Sequence, residues 1–92
     1  MNLSIIIPAF NESKRIVPTL KKVEKFIKTR YSNYEIIVVD DCSNDKTKEI
    51  VNDLNLDCCK VFSNKKNMGK GYSVRKGILG AKYENILFTD SD

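Results

Sequence analysis

The sequence predicts an α/β fold with a parallel sheet in the order βαβαβαβ. Three observations carry that expectation. Short, continuous apolar runs alternate with segments of helical period, which is the pattern of a sheet covered on both faces. The connections between runs are long enough to be crossover helices, so the strands can lie parallel with right-handed connections. Carboxylates follow directly on several of the runs, at the strand ends where such sheets bind ligands.

Leu3 to Ile7 reads as the first strand, with Pro8 ending it and Ala9 to Glu12 as a loop. From about Ser13 to Thr29, Ile16, Leu20, Val23 and Ile27 form one helical stripe. Pro18 belongs in the first turn of that helix, where a missing N–H costs nothing. Lys21, Lys22, Lys25 and Lys28 then form a solvated face, with attraction to an anionic membrane surface as the alternative. Ile36 to Val39 are four consecutive β-branched residues without alternation, an interior strand that runs into Asp40 and Asp41. A helix follows over about Lys46 to Leu54. Cys58 to Phe62 reads as a short third strand, and Asn64 to Gly71 as a polar loop. The third helix is expected over Tyr72 to Lys82, with Val74, Ile78 and Ala81 inward and Gly77 and Gly80 each weakening it by up to ~1 kcal/mol. Ile86 to Thr89 is the fourth strand, ending on Asp90-Ser91-Asp92.

Composition limits the function classes. The chain has 92 residues, 41% apolar and 30% charged, the balance of a globular domain with a small core. No apolar run approaches the ~20 residues of a bilayer span, and Met1 to Pro8 lacks the form of a signal peptide, so a cytoplasmic location is expected. A net charge of +4 is too generic to indicate nucleic acid. Three cysteines, without histidine or a C-x-x-C spacing, give no zinc site and read as free, buried apolar side chains.

The acidic groups are more informative. Glu12 follows the first strand, Asp40 and Asp41 the second, and Asp90 and Asp92 the fourth, all on one sheet edge. Clustered carboxylates repel unless a cation or hydrogen-bond donors are expected there. Two aspartates spaced by one residue on extended backbone project to the same side, as suits Mg²⁺ or Mn²⁺ completed by phosphates and water. Taken alone, Asp-x-Asp is more often a capped turn. The first loop lacks the G-x-G-x-x-G of a dinucleotide fold, so phosphate is not expected at that corner. A base or ribose is, because Glu12 and Asp41 are acceptors for N–H and hydroxyl groups.

Ile-Ile-Ile-Pro-Ala-Phe-Asn-Glu (5–12), Ile-Ile-Val-Val-Asp-Asp-Cys-Ser-Asn-Asp-Lys-Thr (36–47), Asn-Met-Gly-Lys-Gly-Tyr-Ser-Val-Arg-Lys-Gly (67–77) and Ile-Leu-Phe-Thr-Asp-Ser-Asp (86–92) resemble successive motifs of family 2 glycosyltransferases. The glycine-bearing third block is most similar to the branch that loads sugars onto polyprenyl phosphates, such as dolichyl-phosphate mannose or glucose synthases. The resemblance implies a Rossmann-like parallel sheet, the nucleotide-binding half of a glycosyltransferase A-type fold, in an inverting hexosyltransferase of cell-envelope glycan assembly.

It also implies site residues. Pro8 and Ala9 line a base pocket, Glu12 sits beside base or ribose, and Asp41 accepts from uracil or guanine with Asp40 supporting the loop. Lys70 and Arg75 lie near the nucleotide. Asp90 and Asp92 are the catalytic metal pair, with Asp90 also toward the ribose. The implied donor is a UDP-sugar or GDP-sugar, and the acceptor a polyprenyl phosphate or glycan. Peripheral membrane association of a full-length protein is a further implication. Enzymes of this type continue past the point matching Asp92, so residues 1–92 are expected to be a single truncated nucleotide-sugar-binding domain, inactive alone. Two other readings stand beside this one. Val-Val-Asp-Asp, with Phe-Thr-Asp about fifty residues later, resembles a phospho-accepting receiver, although a complete strand–helix unit precedes the acidic pair. The other is a structural α/β fragment.

Overall fold

A computed structural model of the chain describes residues 1–91. Four strands, β1 (Asn2–Ala9), β2 (Asn33–Asp40), β3 (Cys59–Ser63) and β4 (Ile86–Phe88), alternate with α1 (Ile16–Arg30), α2 (Thr47–Leu54) and α3 (Lys70–Leu79). They form one parallel sheet in the order β3-β2-β1-β4. The chain lays strands outward from β1 to β3, then returns to place β4 on the other side of β1. That reversal makes the β1–β4 boundary the topological switch point, where ligands of open α/β sheets bind.

The unbroken apolar runs of β1 and β2 feed two cores. Leu3, Ile5, Ile7 and Ala9 of β1 and Ile36 and Val38 of β2 meet Ile16, Leu20 and Ile27 of α1 and Val51 of α2 on one face. Ile6, Ile37 and Val39 pack on the other face with Phe62 and Ala81. The stripe predicted for α1 is therefore its buried face, with Val23 half-buried, and the four lysines of the opposite face are exposed.

Three details depart from the sequence reading. β1 does not stop at Pro8 but runs through Ala9. Ser4 and Ile6 make their backbone bonds toward the β4 side, through Asn85 O and Thr89 N. Pro8 shares that orientation but lies past the end of β4, so its missing N–H forfeits no ladder bond. Second, α3 starts at Lys70 and turns Ser73 and Gly77 inward, leaving Val74 half-buried and Ile78 exposed. A Cβ on Gly77 would stand 2.4 Å from Ile6 Cγ2, so small residues set the distance at which α3 approaches the sheet. Third, none of the cysteines is fully buried, although Cys59 packs against the core. Cys58 is exposed and Cys42 and Cys59 are half-buried, although burial raises the Cys59 thiol to about 11.

Glu35 ties the far end of the sheet together. Its buried carboxylate accepts from Ser4 Oγ at 2.7 Å and from the Lys82 backbone N–H, and Lys60 Nζ lies 2.9 Å away. Tyr83 N donates in turn to Ser4 Oγ. The α3–β4 connection is thus anchored under β1 and β2. Burial opposes ionisation, but the bonds from Lys82, Lys60 and Ser4 outweigh it and lower the carboxyl below its usual range.

Candidate active site

At the C-terminal ends of β1, β2 and β4, a cleft of about 180 Å³ is lined by residues from four segments. Pro8 and Ala9 come from the end of β1, with Phe10 and Glu12 from the loop after it. Asp41 follows β2, Lys70 and Ser73 lie on α3, and Asp90 and Ser91 follow β4. A space of this size seats a base or a ribose and leaves the rest of a larger ligand outside.

The first two loops interlock. Asn11 N donates to Ser43 Oγ (2.9 Å), Asn44 N to Asn11 Oδ1 (2.8 Å), and Glu12 N to the buried Thr47 Oγ1 (2.9 Å). Asp45 is the hub of this corner. Its carboxylate accepts from Ser13 N, Thr47 N and the Thr47 hydroxyl. Burial would raise its pKa, but these bonds outweigh it and hold the carboxyl at about 2. The backbone pays for the crossing with left-handed conformations at Asn11 (φ 54°) and Cys42 (φ 58°). The first is a residue type that tolerates that region and the second is not.

Asp41 organises the opposite wall. Oδ1 accepts from Asn64 Nδ2 (2.8 Å) and Met68 N (2.7 Å), and Oδ2 from Gly69 N (2.9 Å). The carboxylate closes the loop before α3, where Gly69 takes φ 93°. Desolvation disfavours its charge, yet the donors of Met68, Asn64 and Gly69 prevail and its pKa is lowered. It is an anion at neutral pH, and Oδ2, with one donor, retains acceptor capacity. Asp40, also buried, does not line the cleft. It accepts from Ser43 N and Oγ and so shapes the loop behind Asp41.

The third wall is assembled from distant residues. Glu12 Oε1 accepts from Arg15 Nε at 2.6 Å, and Oε2 from Ser91 Oγ at 2.9 Å. Thr19 Oγ1 donates to Ser91 O at 2.7 Å. Ser91 is thereby held from its side chain and its backbone, with Asp90 beside it at the mouth of the cleft. The Asp90 carboxylate is ion-paired with Lys70 Nζ, both side chains being more than half exposed.

Of the residues singled out from the sequence, Pro8, Ala9, Glu12, Asp41, Lys70 and Asp90 converge on one cleft. Arg75 does not join them. It lies exposed on α3 beside Tyr72, Lys76 and Leu79. Asp92 falls outside the described residues. Sequence reasoning missed Phe10, Ser73 and Ser91 in the lining and Asp45, Thr47 and Asn64 behind it. Ser91 was visible in the spacer position of Asp-x-Asp. Nothing in the spacing of Ser73 or Asn64 marks them.

Among the described residues no group of three acidic, cysteine or histidine side chains gathers as a metal cage. Asp41 and Glu12 are buried and engaged by protein donors, whereas Asp90 is exposed and paired with the equally exposed Lys70, which makes it the carboxylate of the cleft open to a cation. That fits a cation of the Mg²⁺ type, which takes one or two carboxylates and draws its other ligands from phosphates and water.

Comparison with known proteins identifies the family to which this fold belongs. The model of the family described as "Glycosyl transferase family 2" matches residues 4–92. A dolichyl-phosphate beta-glucosyltransferase of Trichomonas vaginalis is 40% identical over 97% of this chain and 28% of its own length. The crystal structure of Staphylococcus aureus TarS residues 1–349 in complex with UDP-GlcNAc superposes with a TM-score of 0.86, at 38% identity, over all of this chain and 27% of that one. A mannosyltransferase of Pyrobaculum calidifontis, solved with GDP-Man and Mn²⁺, shares the fold at a TM-score of 0.84 and 23% identity, over 98% of this chain and 27% of its own. The chain thus spans less than a third of the length of these relatives. Neither the receiver reading nor that of a structural fragment accounts for a match over the full motif series, and the chain belongs to glycosyl transferase family 2.

Proposed function

We propose that residues 1–92 form the donor side of an inverting glycosyltransferase that takes a UDP-sugar and delivers the sugar to a polyprenyl phosphate. The observation that carries this is the cleft at the switch point, where the ends of β1, β2 and β4 bring Pro8, Ala9, Asp41, Lys70 and Asp90 together. Support for UDP over GDP comes from TarS, crystallised with UDP-GlcNAc at 38% identity. Support for a polyprenyl phosphate comes from the name of the Trichomonas relative.

In this reading the base sits against Pro8, Ala9 and Phe10, and the free acceptor site on Asp41 Oδ2 takes its imide N–H. Lys70 gives up its pairing with Asp90 for the donor's phosphates. Asp90, with Asp92, holds Mg²⁺ or Mn²⁺, which when bound neutralises charge on the departing diphosphate. An acceptor phosphate oxygen attacks the anomeric carbon from the opposite face. The bond from that carbon to the diphosphate breaks, and its electron pair leaves with the nucleoside diphosphate. The protein works on the cytoplasmic side, in peripheral contact with the membrane that carries the acceptor. Residues 1–92 alone bind donor without transferring sugar. No helix among the described residues is long and apolar enough to cross a membrane.

Calorimetry of UDP and GDP binding, with and without Mn²⁺, tests the reading. UDP is expected to bind with Mn²⁺-dependent affinity and to protect the amides of Ala9 and Asp41 from exchange. Absence of saturable binding by either nucleotide would overturn it, and preference for GDP would reassign the donor.

A further inference from the structure

A second cavity, of about 510 Å³, opens beside the C-terminal end of β3 and is lined by Ser63, Asn64, Lys65, Lys66, Met68, Tyr72 and Lys76. It shares no lining residue with the donor cleft. Three of its residues are cationic and none is acidic, an imbalance that repels cations and concentrates anions. One further feature distinguishes it from a patch of solvated lysines. Lys76 is half-buried and fixed in place, its Nζ donating to Ser63 O at 2.6 Å and to Asn64 Oδ1 at 3.2 Å. An ammonium has three protons, and this geometry uses two. The third is free for a ligand in the groove.

We infer that this groove is an anion site for a phosphate group, distinct from the donor cleft, with Lys76 as its fixed donor and Lys65 and Lys66 as mobile charges at its rim. A tetrahedral oxyanion offers several acceptor oxygens to such a set, and charge-assisted bonds from ammonium groups are the strong ones. Half-exposed Met68 and Tyr72 flank the charges with apolar surface, which suits a phosphate carried on an organic group as well as a free ion. The floor of the groove connects to the donor cleft through one side chain. Asn64 accepts from Lys76 through Oδ1 and donates to Asp41 through Nδ2, so occupancy of the groove bears on the loop that Asp41 holds.

The test is titration of the chain with inorganic phosphate at constant ionic strength, read from backbone amide shifts of residues 63–68. Saturable shifts at these residues are expected. The double variant Lys65→Glu/Lys66→Glu should weaken binding by about tenfold or more, and Lys76→Gln by several-fold. Lys21→Glu/Lys25→Glu on α1 is the control. It removes the same charge from the opposite face of the sheet and should change affinity less than about twofold, because surface charges at that distance are screened. A second arm uses vesicles of phosphatidylglycerol in phosphatidylcholine. If vesicles bind while inorganic phosphate does not, and the Lys65/Lys66 variant alone abolishes it, the phosphate is a lipid headgroup. Equal losses in both double variants, or no binding of either probe, would each overturn the inference. None of these outcomes depends on whether the donor cleft binds a nucleotide sugar.

Discussion

Two parts of the same cleft are built in opposite ways. The corner between the first and second loops is a mesh of hydrogen bonds, largely buried or half-buried, around Asp45, Thr47 and Asp41. The arm after β4 rests on a three-residue strand with all its side chains exposed, the contacts of Ser91, and the exposed Lys70–Asp90 pair. Buried polar networks are rigid when satisfied and costly when broken, whereas exposed ion pairs contribute about 0–1 kcal/mol. The difference separates recognition from reactivity. The surface proposed to meet the base is preformed, and the group proposed to meet phosphate and metal can change partners.

Breaking the rigid corner should have the largest effect. Asp45→Ala leaves Ser13 N, Thr47 N and the Thr47 hydroxyl without their acceptor and is expected to cost about 3 kcal/mol, measured by urea unfolding. Acid tests the same group without mutation. Its folded pKa of about 2 lies below the ordinary aspartate value of 3.8. The stabilisation it contributes is therefore complete above pH 4 and is lost as pH falls through 2. Asp41 and Glu35, also lowered, act in the same direction. Asp45→Asn should flatten this part of the stability–pH curve, and an unchanged slope would mean that other carboxylates carry it.

Asp41→Asn comes next. The amide cannot accept on both sides, so Met68 N or Gly69 N loses its partner, at about 2 kcal/mol. UDP affinity should fall at least tenfold in the same variant, and unchanged affinity by calorimetry would remove Asp41 from the base site. Ser91→Ala, at the boundary between the two regions, should cost about 1 kcal/mol because Glu12 Oε2 is left buried without a donor. The smallest stability effect belongs to Asp90→Ala, less than about 0.5 kcal/mol. That variant should nonetheless abolish the Mn²⁺ dependence of UDP binding while leaving uridine unaffected. Equal losses for uridine and UDP would make Asp90 structural.

The comparison also marks what can be read from a sequence. The strands and the stripe of α1 were legible because burial on both faces, or on one, leaves a period in the residues themselves. The acidic strand ends were legible because chemistry at a sheet edge is written in adjacent positions. The face of α3 was not. Its packing depends on the absence of side chains at Ser73 and Gly77, and hydrophobic periodicity points to Val74 and Ile78 instead. Asp45 precedes, and Thr47 opens, what the sequence shows as an ordinary helix, and only the crossing of two loops shows that they serve Glu12 and Ser13 over thirty positions away. The Ser91 contacts were illegible for the same reason, since residues 72 and 79 positions apart leave no common signal.

Those separations govern how the fold is reached as well as how it is held. Glu12 and Ser91 are 79 positions apart, and β4 pairs with β1, at the other extreme of the sheet's chain order. Contacts of such long range close late, because the entropy of the intervening chain is lost before they return anything. On a ribosome adding roughly 5–20 residues per second, Glu12 waits about 4–16 s for its partner. Through that interval β1 is open along the edge that β4 will cover, and a carboxylate destined for burial stands in water. The loop corner is already complete by then, since its partners lie within about 35 positions of one another. The nascent chain therefore acquires its rigid half while the mobile half is still being made.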